Sequence, residues 1–274
     1  MTKYSGYYPI LYKEKTSPSV IKFTLEAPEI ARISQPGQFI QVRPSESYFP
    51  LWPRPFSIFD ADGEAGEIVI VFKIAGCGTS QMANKISGQT MHILGPLGSG
   101  FPLLTPNRKV ILASGGVGLP PLFFLAKRSI RGDYPVKNLT FIAGGKSADD
   151  ILEKAGLLEL GIEASICTDD GSLGFKGTVV DLLKRHLDEN SGCAVYACGP
   201  TPMLKGIDDL LISRGIPGQL SLEALMPCGY GICSGCAVKV IPPVDRGPTD
   251  DNRDFHLKRV CVDGPVFNAG EVIW

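Results

Sequence analysis

Four cysteines late in the chain have the spacing of a metal centre. Cys228 is followed after four residues by Cys233 and after two more by Cys236, and Cys261 lies downstream in the run RVCVDGP. Thiolates in the order C-x4-C-x2-C…C can hold two irons bridged by sulfide, a 2Fe-2S cluster. Such a loop must wrap tightly, and Gly229, Gly231 and Gly235 permit positive φ and leave backbone N–H groups free to point at sulfur. A closed tetrahedral zinc cage is the alternative, in a binding or redox-sensing module without turnover. Zinc motifs usually pair cysteines as two C-x-x-C hooks, whereas the first gap here is four residues, so iron–sulfur is the preferred reading. Such a cluster moves one electron at a time. A hydride donor can feed it only through a two-to-one converter, and a flavin supplies that conversion.

Signals for a flavin and a nucleotide lie upstream. Arg54 begins an RPFS run in which its guanidinium could clamp a pyrophosphate, with Ser57 in reach of a flavin ring edge. In FKIAGCGTS, Gly76, Gly78 and Thr79 precede a helix whose free N–H groups form a phosphate seat. The run GPLGSGF, 95–101, reads as a tight turn closing the surrounding unit. SGGVGLPP ends an apolar strand and opens a helix, with Gly116 and Gly118 able to let a dinucleotide approach. It is not a G-x-G-x-x-G fingerprint, because Pro121 takes the third glycine's place. ACGPTPML repeats this arrangement and puts Cys198 and Gly199 at the carboxyl end of a sheet, where open α/β folds bind ligands. Cys77, Cys167 and Cys193 are scattered singly among small or apolar neighbours and read as small buried hydrophobes. The three histidines, His92, His186 and His256, lie outside every motif.

These motifs need elements to hold them. Up to about residue 104 the chain reads as short strands with turn punctuation, for example VIKFTLE at 20–26 and EIVIVFKI at 67–74. That pattern predicts a small antiparallel β-barrel, interrupted by one helix over 79–86 with Thr79 as its N-cap. After residue 106 apolar strands alternate with helical stretches, at 148–160, 179–187 and 202–213 among others, which predicts a parallel α/β sheet. The expected division is 1–105, 106–218 and 219–274. Of the 274 residues 44% are hydrophobic and 20% charged, and the net charge is −1. That profile is globular and gives no field to steer a nucleic acid. The N-terminus lacks a signal-peptide apolar region, and the longest apolar stretch, 110–126, is broken by glycines and two prolines. No membrane association is expected, and the cytoplasm is the default address.

Taken in order, the RPFS, GCGT, GGVGLPP and CGPTPM runs and the cysteine segment resemble the ferredoxin-reductase superfamily. The run TDDGSLGFKG at 168–177 and the ending RVCVDGPVFNAGEVIW are especially similar to the dihydroorotate dehydrogenase B electron-transfer subunits. The resemblance covers the chain from about residue 8 to its end. It implies an FAD-binding β-barrel, an NAD-binding α/β domain and a C-terminal 2Fe-2S domain. It implies FAD contacts from Arg54, Pro55, Phe56 and Ser57, from Val71, Phe72 and Lys73, and from Gly78 and Thr79. It implies NAD contacts from Gly116 and Gly118, Thr168 and Asp169, and Cys198 and Gly199, with cluster ligands Cys228, Cys233, Cys236 and Cys261. It also implies an FMN-containing TIM-barrel partner that oxidises dihydroorotate, in a heterotetramer of two plus two subunits.

Two features depart from the pattern. Twenty-four residues separate Cys236 from Cys261, more than this family is expected to carry, and the excess reads as an exposed polar loop that could touch the partner. Phe56 stands where many of the superfamily carry tyrosine, which keeps ring packing but loses a hydroxyl contact. An NAD(P)H–ferredoxin transhydrogenase or a hydrogenase diaphorase subunit would share fold and cofactors. For the nucleotide, Asp149 and Asp150 would repel a 2′-phosphate while Lys146 could attract one, and NAD is the reading preferred.

Overall fold

The computed structural model describes residues 2–190, 192–242 and 255–274. Most of the expected polar loop between Cys236 and Cys261 lies outside the described residues. Strands β1 (Tyr4–Ser17), β2 (Val20–Glu26), β3 (Phe39–Arg43), β4 (Arg54–Asp62), β5 (Glu67–Lys73) and β6 (Thr90–Leu97) close into an antiparallel barrel in the order β1-β2-β5-β4-β3-β6. Alternation drives it: Phe23 and Leu25 of β2 turn inward to meet Ile40, Ile58, Ile68, Ile70 and Ile93, all fully buried. Helix α1 (Pro28–Ile33) packs against β4 and β5. Helix α2 (Cys77–Ala83) begins two residues before the expected Thr79, with Gly76 as its N-cap. Thr79 closes the first turn from within, its Oγ1 accepting the Ala75 and Gly76 N–H groups at 2.9 and 3.1 Å.

The second half alternates as expected. Strands β7 (Val110–Gly115), β8 (Leu139–Gly145), β9 (Ser165–Thr168), β10 (Phe175–Lys176), β11 (Ala194–Cys198) and β12 (Gly218–Ser221) pair in parallel, linked by α3 (Leu119–Arg131), α4 (Lys154–Glu159), α5 (Val179–Glu189) and α6 (Thr201–Arg214). The helix expected over 148–160 is shorter. Residues Ala148–Asp150 make a 3-10 turn, and Glu153 takes a left-handed φ of 49°, so α-helical geometry starts only at Lys154.

The tail supplies β13 (Ala237–Val240) and β14 (His256–Arg259), an antiparallel pair, then β15 (Val266–Asn268). β15 joins β12 antiparallel, giving a sheet in the order β10-β9-β8-β7-β11-β12-β15. One buried cluster runs through all three regions, from Phe39 and Leu97 through Ile111 and Val195 to Cys236, Cys261 and Phe267. The turn after β6 does more than close the barrel, because Ser99 N–H donates to the Gly264 carbonyl at 2.6 Å and so seats the tail. Ion pairs also join barrel to sheet: Lys22–Glu153 at 3.2 Å, Lys73–Asp150 at 2.6 Å, and Lys127–Asp60. Among the described residues no helix is long and apolar enough to cross a membrane.

Asp208 anchors the tail. Buried on α6, it accepts the Gly270 N–H and the Trp274 Nε1–H, each at 2.7 Å. Asp208→Ala orphans both donors, at about 1–3 kcal/mol each. Its thermal midpoint is expected to fall by roughly 4–24 °C, given a total of about 2–6 kcal/mol and about 2–4 °C per kcal/mol for a chain of this size. An unchanged melting curve would show that the tail is held elsewhere.

Candidate functional site

The four cysteines converge in two pairs. Cys228 and Cys233 share a tight loop in which Gly229 and Gly231 take φ of 70° and 81°. The third left-handed position falls on Ser234, φ 54°, rather than on Gly235. Gly235 instead turns its N–H to Cys233 Sγ at 3.5 Å. Pairing of Ala237 with Arg259 sets Cys236 beside Cys261, whose N–H donates to Cys236 Sγ at 3.5 Å. Cys236 and Cys261 are buried, Cys228 half-buried and Cys233 exposed. Among the described residues no three Cys, His, Asp or Glu side chains gather about one point as a single ion would require; a dinuclear centre takes two ligands per iron.

The electrostatics suit thiolates. Burial pushes the Cys228 thiol up, but hydrogen bonds from Cys233 and from the Tyr230 and Ile232 N–H groups outweigh it and lower the thiol to about 6. Burial and the neighbouring Cys236 thiol push Cys261 up to about 12, against a donor from Gly231. Two adjacent thiols resist joint ionisation; bound cations remove that penalty.

The barrel side of the loop carries the RPFS run. Pro55 and Ser57 on β4 lie opposite Gln41 and Phe39 on β3. The buried Gln41 side chain donates from Nε2 to the Met226 carbonyl at 2.5 Å, tying this strand to the start of the cysteine loop. Arg54 is held over the turn before it by the Trp52 and Pro53 carbonyls, at 2.7 and 3.3 Å from Nη1. It faces the first turn of α2, where a Cβ on Gly78 would lie 3.4 Å from Arg54 Nε. The Phe56 ring leans on Phe72 at 5.5 Å. Val71 and Phe72 are buried in the cores and Lys73 reaches Asp150, so Val71 and Phe72 offer a ligand their backbone rather than their side chains. Cys77, expected to be buried, is exposed at the first position of α2.

The nucleotide motifs meet at the carboxyl ends of β7 and β11. A cleft of about 500 Å³ opens there, lined by Gly116, Lys146, Asp150, Asp169, Met203 and Glu223 among others. Gly118 lets the two turns touch: a Cβ there would stand 2.1 Å from the Cys198 carbonyl oxygen. The Cys198 thiol is buried, and burial followed by the Glu223 charge pushes it up to about 12, so it stays protonated. Thr168 is fully buried, and its hydroxyl is spent on Leu173, donating to the carbonyl at 2.9 Å and accepting the N–H at 3.1 Å. It shapes the turn that presents Asp169. Enclosure by the cleft raises the Glu223 carboxyl above its ordinary range. No motif marks Glu223, which lies two residues beyond the end of β12.

A family model described as the iron–sulfur cluster binding domain of dihydroorotate dehydrogenase B matches residues 223–273. The dihydroorotate dehydrogenase B (NAD(+)) electron transfer subunit of Desulforamulus reducens is 38% identical over 258 residues, 94% of each chain. This chain belongs to the dihydroorotate dehydrogenase B electron-transfer subunit family. The family's subunit from Shouchella clausii is 34% identical and spans 100% of both chains. Among solved structures, an NADH-dependent reduced ferredoxin-NADP oxidoreductase has a TM-score of 0.81 at 27% identity, covering 97% of this chain and 90% of that one. A ferredoxin NADP+ reductase from Neisseria gonorrhoeae shares the fold, with TM-score 0.65 and 18% identity over 77% and 92% of the two chains.

As a dihydroorotate dehydrogenase B electron-transfer subunit the chain is an oxidoreductase component, with FAD, NAD and a 2Fe-2S cluster as its cofactors. Its residues fit them. The paired thiols with inward N–H donors suit the cluster, the open βα turn at Gly116 suits a dinucleotide, and Arg54 beside a helix start suits a pyrophosphate. Arg54→Ala should therefore weaken FAD binding by roughly 10- to 100-fold, the worth of one charge-assisted hydrogen bond. Equilibrium dialysis of released flavin measures it; unchanged affinity would remove Arg54 from the site.

Proposed function

We propose that this subunit passes electrons between NAD(H), FAD and a 2Fe-2S cluster, and exchanges them with an FMN-containing TIM-barrel subunit that interconverts dihydroorotate and orotate. The observation that carries the reading is the physical continuity from the RPFS strand through Gln41 to the Met226 carbonyl, two residues before Cys228. In this reading Cys228, Cys233, Cys236 and Cys261 hold the cluster. Arg54, Pro55, Phe56 and Ser57, the backbone of Val71, Phe72 and Lys73, and Gly78 and Thr79 receive FAD. Gly116, Gly118, Asp169 and Gly199 receive NAD, with Gly116 and Asp169 lining the cleft itself and Thr168 and the neutral Cys198 thiol buried in the turns that carry them. Residues 1–105, 106–218 and 219–274 are the corresponding units, and two such chains assemble with two catalytic subunits in the cytoplasm.

When bound, the flavin relates a hydride's two electrons to the single electron of the cluster. The chain's own part is positional. The sheet would present the nucleotide at the carboxyl ends of β7 and β11, where the cleft opens. Gln41 and the Ser99–Gly264 hydrogen bond fix the cysteine loop against the barrel. Asp150, held ionised by its hydrogen bond to Lys73, lies in the cleft where it would repel a 2′-phosphate. NADH is therefore expected to reduce the flavin faster than NADPH.

Purified chain mixed with its catalytic partner is expected to reduce NAD⁺ at the expense of dihydroorotate. A reconstituted, cofactor-replete pair that cannot do so would overturn the assignment of partner. The likeness to the ferredoxin-NADP oxidoreductase supports a second reading, exchange with a ferredoxin. Turnover with reduced ferredoxin, and none with dihydroorotate, would favour it.

A further inference from the structure

We infer that Arg259 raises the reduction potential of the cluster, acting through the Gly231–Ile232 peptide without being a ligand; the inference rests on the reading that the four cysteines hold that cluster. Arg259 ends β14, two residues before Cys261. Its Nη1 donates to the Gly231 carbonyl at 2.8 Å. The same peptide continues through Ile232 into Cys233, inside the loop that runs from Cys228 to Cys233. On the far side of Arg259, the Cys261 N–H donates to Cys236 Sγ at 3.5 Å. A guanidinium thus stands against the backbone of the Cys228–Cys233 loop, on a side chain two residues from Cys261.

Two physical effects add with one sign. A cationic donor on a carbonyl draws density from the amide and strengthens the N–H on its far side. Stronger N–H···S bonds and a nearby permanent positive charge both favour the electron-rich form of a cluster. Removing the arginine therefore makes reduction harder. Asp263 acts in opposition: its Oδ2 accepts the Arg259 N–H at 2.7 Å and Nε–H at 3.3 Å, orienting the fork while cancelling part of its charge.

The glycine at 231 supports this design. A Cβ there would lie 3.3 Å from Arg259 Nη1 and 2.6 Å from Val262 Cγ2, at a φ of +81°. Only a bare backbone lets the guanidinium close on that carbonyl. The Arg259 side chain is 42% exposed, so solvent screens its direct charge and leaves the relay through the peptide as the larger share.

The test is an EPR-monitored redox titration of the purified full chain carrying its iron and flavin, in four forms. Arg259→Gln is expected to reduce the equilibrium constant for cluster reduction about tenfold, a midpoint about 59 mV more negative for a one-electron couple. Arg259→Lys, which keeps the charge but not the planar fork, should fall between it and the unsubstituted chain. Asp263→Asn should move the midpoint the opposite way. The flavin potential should stay in place throughout. If Arg259→Gln loses iron, the upward shift in Asp263→Asn decides the matter. A shared direction for the two substitutions, or full iron content with an unmoved midpoint in Arg259→Gln, would overturn the inference. An unsubstituted chain with flavin but no two-iron signal would instead overturn the cluster reading beneath it.

Discussion

Cys228→Ser yields a protein that keeps its flavin and loses its iron. The reason lies in the environment of that sulfur. Three backbone N–H groups and the neighbouring Cys233 lower the Cys228 thiol to about 6, against a burial effect that alone would raise it. The loop is therefore built for a negative charge on a soft atom. A serine hydroxyl stays protonated near neutral pH and leaves those donors facing a poor acceptor. Iron and sulfide content should fall below about a tenth of the normal value, since even outer-shell substitutions at metal sites cost 10- to 100-fold in affinity. Reduction of the flavin by NADH should persist within about twofold, because Arg54 and Gly116 belong to other elements. Electron delivery past the flavin should drop by about 100-fold or more. Full iron content in this variant would mean that Cys228 is not a ligand.

Gly118→Ala disables the nucleotide cleft. Its new Cβ would stand 2.1, 2.4 and 2.7 Å from the Cys198 oxygen, the Cys198 carbon and the Gly199 nitrogen. All three are backbone atoms, so no rotamer relieves the clash and the turns after β7 and β11 must separate. Overpacking typically costs 1–3 kcal/mol, and a backbone-to-backbone clash belongs at or above about 3 kcal/mol. A melting point lower by roughly 6–12 °C follows at about 2–4 °C per kcal/mol. Displacing the cleft wall by an ångström costs on the order of 100-fold in kcat/KM for NADH. Gly116→Ala is the control. Its φ of +52° strains a side chain, yet a Cβ there meets open space, so the loss should be about 1–2 kcal/mol of backbone strain with the turns still in contact. Stopped-flow reduction by NADH separates the two variants. Equal effects would show that the contact with Cys198 is irrelevant.

What could be read from the residues was the local chemistry. The cysteine spacing, the glycine turns and the switch from strand alternation to strand–helix alternation each depend on near neighbours, and the barrel and the parallel sheet follow from them. Long-range choices were less visible. β15 has three residues and no alternation, and its place beside β12 depends on Asp208 capturing Gly270 and Trp274 some sixty residues on. Glu223 lacks a motif because only the path of the chain beyond β12 brings it to the cleft. Thr168 belonged to a recognisable run, yet its hydroxyl is consumed by Leu173. A sequence reports that a hydroxyl is present, not which partner reaches it first. Ser234 taking the left-handed position expected of Gly235 is a similar case, since the sulfur contact at Gly235 fixes where the turn must bend.

Anaerobic titration of the full chain with NADH, followed by optical and low-temperature EPR spectra, tests the central claim most directly. Flavin bleaching accompanied by the rhombic signal of a reduced two-iron centre is the expected result. Bleaching of the flavin with no paramagnetic iron, in a sample that contains two irons per chain, would mean that Cys228, Cys233, Cys236 and Cys261 do not connect to the barrel, and the electron path described here would be wrong.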